Sequence, residues 1–188
     1  MTIQLETPRL ILRAWQNSDL KTFHEMSQDQ DVMRYFPQYL TAAESLSLTR
    51  LIQSFIKQQG WGFWALERKG TGEFLGFTGL HYQPTKFEFS PCTEIGWRLK
   101  RSAWRQGYAY EAAVASLNFG FNTLRLDQIV AFTAALNHPS KNLMQRLGMS
   151  EIKSFEHPDV DENSPLKQHI LYAITAAQFM HHTNDWSD

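Results

Sequence analysis

"LKRSAWRQGYAYEA", residues 99–112, is where two periodicities meet. Upstream, "CTEIGWRLK" alternates Glu94, Gly96 and Arg98 with Ile95, Trp97 and Leu99, as a strand does. Downstream, from Gly107 to about Leu124, Ala109, Ala113, Leu117, Phe121 and Leu124 recur on one helical stripe. The helix therefore opens on Gly107 and Ala109. Glycine is poor in a helix interior and useful where another group must come close to the main chain. A helix N-terminus leaves N–H groups without partners and carries a partial positive charge, so it attracts phosphate. Four cations, Arg98, Lys100, Arg101 and Arg105, fall within eight residues just upstream. Together these features predict a pyrophosphate seat made mostly of backbone; the bland alternative is a helix packed tightly on a sheet through small residues.

Outward from this junction the pattern is mixed. "LETPRLILRAW" reads as a first strand, with Leu10 and Leu12 on one face. "NSDLKTFHEMSQ" reads as a helix through Leu20, Phe23 and Met26. A second helix is expected from Thr41, with Glu44 completing a capping box and a stripe through Leu48, Leu51, Ile52, Phe55 and Ile56. "WGFWALERKGTGEFLGFTGLHYQ" is a hairpin turning at "RKGTGE". After the 107–124 helix, "QIVAFTAAL" is a buried strand and "PSKNLMQRLGM" a short helix closed by Gly148. "SEIKSFEH" and "KQHILYAITAAQF" are expected to pair as the last two strands, and His181 and His182 to lie in a frayed tail. The order β-α-α-β-β-β-α-β-α-β-β indicates a mixed α/β (α+β) single domain with at least one strand-helix-strand crossover.

Composition narrows the function classes. A chain of 188 residues with 43% hydrophobic and 20% charged side chains suits one soluble domain. No apolar run approaches the roughly 20 residues that span a bilayer, and the start lacks a secretory layout. One cysteine, Cys92, excludes an intrachain disulfide framework and suits a reducing cytoplasm. A net charge of -1 gives no global pull toward nucleic acid or anionic membrane. No metal-ligand spacing occurs among the histidines, and neither common nucleotide fingerprint is present.

The six positions Trp104, Arg105, Gln106, Gly107, Tyr108 and Ala109 resemble the coenzyme A loop of the GNAT acetyltransferase superfamily, usually written [QR]-x-x-G-x-[GA]. Trp104 departs from that pattern, and an aromatic residue there followed by G-Y-A-x-E-A looks like the Rim-type branch, whose best-known members acetylate the N-termini of ribosomal proteins. "TPRLILRAW", "GEFLGFTGL", "EIGWRL" and "NHPSKNLMQRLGM" are similar to further segments of that branch, in its order. The resemblance implies a GNAT-like fold with a mixed, mostly antiparallel central sheet flanked by helices. The acetyltransferase domain is expected over residues 7–178, followed by a tail at 179–188.

Acetyl transfer from a thioester to an amine needs a deprotonated amine, attack geometry, a donor for the carbonyl oxygen and a proton for the thiolate. Glu94 is the candidate general base, directly or through water; a solvated strand carboxylate is the alternative. The resemblance implies that the backbones of Trp97 and Leu99 grip the pantetheine arm and polarise the carbonyl. It places Ser140 near the departing sulfur and Asn137 on the pantetheine amides, although Ser140 beside Pro139 is also good helix-start chemistry and Asn137 could form an Asx-turn or cap. A first-turn glutamate, Glu111, suits any helix dipole. The expected partners are acetyl-CoA as co-substrate and a primary amine, from a protein N-terminus or a small molecule; a homodimer is compatible, and neither nucleic acid nor membrane is expected. The rival reading is a non-catalytic acyl-CoA-binding module that keeps the fold.

Overall fold

Pro8 cannot donate to a ladder, and the first strand divides around it into β1 (Leu5–Glu6) and β2 (Leu10–Arg13), which pair antiparallel. The computed structural model describes residues 3–184. They form two compact units: one holds the described residues up to Leu80 together with Gly96–Ser116, the other His81–Ile95 together with the described residues from Leu117.

In the first unit the strand order is β1-β2-β3-β4, with β3 (Phe63–Arg68) and β4 (Glu73–Gln83) joined at the expected hairpin, where Gly70 and Gly72 both take positive φ. Three helices lie between β2 and β3 rather than two: α1 (Asp19–Met26), α2 (Gln30–Met33) and α3 (Ala42–Gln59). The one-turn α2 is capped by the Asp29 carboxylate, which accepts from Asp31 and Val32 N–H. The Thr41–Glu44 capping box is present in both directions. The buried stripe of α3 runs Ser45, Thr49, Ile52 and Ile56, whereas Leu51, expected inside, is half exposed. Two serine and threonine hydroxyls are therefore accommodated in the core, and Thr49 satisfies its own by donating to the Ser45 carbonyl.

The core of this unit gathers Trp15, Phe23, Met26, Val32, Met33, Ile52, Ile56, Phe74 and Phe77. Trp15 meets Phe23 edge-on at 5.1 Å and sends its indole N–H to the Phe63 carbonyl. At its edge, Arg13 forks onto Asp19 at 2.8 and 2.9 Å and reaches Glu67 at 2.6 Å. Asp19 is only 2% exposed, so its charge is held by this bidentate pair and by Gln16 N–H. β5 (Cys92–Leu99) contributes its last four residues here. A Cβ on Gly76 would lie 2.2 Å from the Arg98 carbonyl oxygen, so β4 approaches β5 at a spacing only glycine allows.

In the second unit the order is β5-β6-β8-β7, with β6 (Gln128–Ala134), β7 (Ser150–Glu156) and β8 (Gln168–Thr175). β5 and β6 run parallel at Glu94↔Val130, the crossover between them being α4 (Tyr108–Asn122); β8 is antiparallel to both β6 and β7. α5 (His138–Arg146) follows β6, and Gly148, at φ 80, ends it as expected. The last expected strand is too long. β8 stops at Thr175 and α6 (Ala176–Asn184) follows, because Thr175 and Gln178 form a reciprocal cap between side chains and N–H groups. His181 and His182 thus belong to a helix, and a His182 ring nitrogen pairs with the Arg146 carbonyl at 2.9 Å. Residues 185–188 of the expected tail lie outside the described residues. The chain is, as expected, a mixed α/β fold with a mostly antiparallel sheet flanked by helices.

Candidate active site

In the first unit a short 3-10 turn, Arg101–Ala103, leads from β5 into the turn that starts α4. Arg105 takes φ 58 and Gly107 φ 81, so two left-handed residues bracket Gln106. Such alternation turns successive N–H groups to one side and builds an anion-binding concavity. The amides of Gln106, Gly107, Tyr108 and Ala109 find no acceptor among the described residues, and that of Glu111 donates to the Gly107 carbonyl. Arg105, Gln106 and Gly107 are exposed, Ala109 is half-buried and Tyr108 buried. This turn could hold a diphosphate.

What fixes the turn is a clasp from the start of the chain. Glu111 accepts Thr7 Oγ1–H at 2.6 Å, Arg9 N–H at 2.9 Å and Arg9 Nε–H at 2.6 Å. Arg9 Nη1 in turn donates to the Gln106 carbonyl at 2.9 Å, and its guanidinium lies 4.6 Å from the Tyr108 ring centroid. Burial raises the Glu111 pKa, but the bonds from Thr7 and Arg9 outweigh it and hold the carboxyl below its usual range. Trp104, 42% exposed, donates its indole N–H to the Leu99 carbonyl, which accounts for an aromatic residue at this position.

The four cations upstream do not act together. Lys100 pairs with Glu73 and Arg101 with Asp31. Arg98 is part-buried, its guanidinium carbon 3.9 Å from the Phe36 ring centroid. Of the run, Arg105 is the member placed in the turn itself.

The second unit carries the carboxylate. Glu94, on β5, holds Oε1 3.0 Å from His81 Nδ1 and 2.9 Å from Gln83 Nε2, both on β4, and its side chain is 13% exposed. An ionised Glu94 is acceptor-only, so His81 Nδ1 carries the proton in that contact. Glu94 is thus an oriented, half-buried group rather than a solvated strand carboxylate. Asn137 caps α5: its Oδ1 accepts Ser140 N–H at 3.3 Å while Nδ2 donates to Thr133 Oγ1 and Ser140 Oγ. Asn137 and Ser140 are thereby brought together at the start of α5, with Thr133 of β6 beside Asn137. Cys92 lines an apolar cavity of about 290 Å³ with Phe89, Val130 and Leu171. Burial and then Glu94 raise its pKa, the opposite of what a nucleophilic thiolate requires. Among the described residues no cluster could hold a metal ion, and no helix is long and apolar enough to cross a membrane.

Residues 9–150 match a family model described as an acetyltransferase (GNAT) domain. The chain is a GNAT acetyltransferase. It is 33% identical over 152 residues to the uncharacterized protein YkkB of Bacillus subtilis, covering 80% of this chain and 87% of the relative. It is 26% identical over 189 residues to the FsC-acetyl coenzyme A-N(2)-transacetylase of Aspergillus fumigatus, covering 94% and 77% of the two chains. The crystal structure of a GNAT-family acetyltransferase from Bacillus anthracis superposes with a TM-score of 0.78 at 25% identity, over 93% of this chain and 99% of that one. This GNAT acetyltransferase is accordingly an acyltransferase with acetyl-CoA as its co-substrate.

Sequence reasoning missed two groups of this acetyltransferase. His81 lacks any motif with Glu94, and only the pairing of β4 with β5 brings residues 13 apart to one another. Arg9 and Thr7 lie a hundred residues from Glu111, and their signal was a charged residue between Pro8 and the apolar start of β2.

Proposed function

We propose that this acetyltransferase passes the acetyl group directly to a primary amine in a ternary complex, with Glu94 as the general base. The observation that carries this reading is the Glu94–His81–Gln83 arrangement, a carboxylate held in one orientation by two side-chain contacts at low exposure. Acetyl-CoA, when bound, supplies an activated thioester carbonyl. The turn at Arg105–Ala109, with Trp104 behind it, holds the diphosphate, and the β5 backbone at Trp97 and Leu99 donates to the pantetheine and the carbonyl oxygen. Glu94, directly or through a water, takes the proton that leaves the attacking nitrogen as the new C–N bond forms and the C–S bond breaks. His81 keeps Glu94 aimed. Ser140 offers a hydrogen bond to the departing sulfur, and Asn137, besides capping α5, orders the start of that helix for it. The G-Y-A-x-E-A loop motif and the N-x-x-S segment support a Rim-type acceptor, the α-amino group of a protein N-terminus.

The test is a free-CoA release screen over N-terminal peptides, polyamines, amino acids and aminoglycosides. On the best acceptor, Glu94→Gln is expected to lower kcat by about 100-fold or more while acetyl-CoA affinity stays within about twofold. Ser140→Ala is expected to lower kcat by a smaller factor. Full rate in both variants removes these two assignments.

A further inference from the structure

Three of the four cations between Arg98 and Arg105 are accounted for by carboxylates or by the exposed turn. Arg98 is not. Its Nε and Nη1 are inaccessible to solvent and meet no hydrogen-bond partner among the described residues, nor is any carboxylate within ion-pair reach of it. What touches it is aromatic: the Phe36 ring centroid is 3.9 Å from the guanidinium carbon and that of Phe77 is 5.6 Å away. Cation–π contact offsets part of the cost of taking the charge out of water, but leaves the Nε and Nη1 N–H groups without acceptors among the described residues. Burial also draws this guanidinium down, to about 10, though it remains charged at neutral pH.

A guanidinium fork is shaped to take two oxygens of one carboxylate, and a buried charge left without such a partner is strongly destabilising. The two aromatic neighbours differ in how firmly they are held. Phe77 is inside β4, whereas Phe36 belongs to residues 34–41, which form neither helix nor strand between α2 and α3. The ring on the irregular segment can move aside without breaking a ladder. Arg98 also alternates along β5 with Trp97 and Leu99, so its side chain leaves the strand from the opposite face to theirs.

We propose that Arg98, covered by Phe36, is a carboxylate-binding subsite of the acceptor, so that the preferred amine also carries a carboxylate. This rests on the transfer reading above only in calling the ligand an acceptor. The carboxylate belongs either to a free amino acid or to an acidic side chain near a peptide N-terminus, and the test separates the two.

Transfer rates are compared for matched pairs: β-alanine against β-alaninamide, and peptides with Asp against Asn at the second position. The wild type is expected to favour the carboxylate member of one pair by about 10-fold or more in kcat/KM, through KM, and that pair identifies the source. Arg98→Met should bring the ratio to within about twofold with acetyl-CoA affinity, measured by calorimetry, unchanged; Arg98→Lys should restore part of it. Independently of folding variants, the Arg98 Nε–H resonance of the wild type should shift with β-alanine or the Asp peptide and not with the neutral mates. Equal rates within both pairs, or an Arg98 resonance indifferent to every carboxylate, overturns the subsite. Loss of acetyl-CoA binding in the wild type would instead overturn the transfer reading, while the resonance would still decide the subsite.

Discussion

Removing the Glu111 carboxylate tests how the 105–109 turn is held. It accepts three hydrogen bonds, from Thr7 Oγ1 at 2.6 Å, Arg9 N at 2.9 Å and Arg9 Nε at 2.6 Å, with its side chain 15% exposed. Hydrogen bonds to a charged group contribute about 1.5–3 kcal/mol each. Arg9 is half exposed, so its share is screened, and three bonds to one carboxylate do not add. Glu111→Ala is therefore expected to cost about 2–3 kcal/mol in urea unfolding, and Glu111→Gln about 1–2 kcal/mol. Because the folded-state pKa of Glu111 is depressed, the stabilisation is present above the usual carboxylate range and fades as pH falls through the folded pKa. The gap between wild type and Glu111→Gln should accordingly narrow as pH falls below the usual carboxylate range. Freed from Glu111, Arg9 no longer fixes the Gln106 carbonyl, so KM for acetyl-CoA should rise about 3- to 10-fold with kcat nearly unchanged. A variant with wild-type stability and wild-type KM would refute the clasp.

Two further substitutions and one titration probe the frame. Gly76→Ala, at φ 134, pushes a methyl carbon to 2.2 Å from the Arg98 oxygen and 2.7 Å from Leu99 Cα, both backbone, and should cost about 3 kcal/mol or roughly 6–12 °C in Tm. Gly70→Ala meets nothing within 4 Å and should cost only about 1 kcal/mol; equal losses at the two sites would contradict the close approach of β4 to β5. Burial, then the charges of His169 and Lys86, pushes His157 down to about 4, with Asp159 opposing and Lys167 reinforcing. The unfolded chain therefore takes up a proton near pH 6.5 that the folded one refuses until about pH 4. Stability should fall across that window by on the order of 1–2 kcal/mol after solvent screening, and less in His157→Gln; parallel pH curves would exclude His157 as the cause.

Local chemistry was readable where it is local. The Thr41–Glu44 box, the glycines of the 69–72 turn and the Gly148 stop are decided within four residues, and each forms as read. The Thr175–Gln178 cap is equally local and was overlooked because "KQHILYAIT" holds a strand period up to it. The α3 stripe misled because a hydrophobic reading passes over Ser45 and Thr49, whose hydroxyls fit a buried face once the helix carbonyls can accept them. The candidate site divides the same way. Gly107 and Arg105 stand in a recognisable motif, while His81 beside Glu94 and the fate of Arg98 depend on which strands become neighbours and where an aromatic loop residue lands. Charge spacing alone grouped Arg98, Lys100 and Arg101, and only the folded chain reveals that each meets a different group.

Residues 84–91 carry their own anchor. Phe87 and Phe89 stack at 4.9 Å and press edge-on against Phe132 and Phe155, while Lys86–Asp159 and Lys153–Glu88 tie the rim. The ion pairs are exposed and contribute less than about 1 kcal/mol each, so the rings do the fastening. Such a segment behaves as a transplantable cassette: its polar rim can drift freely among relatives, or be re-coded by an engineer, as long as the four rings travel together.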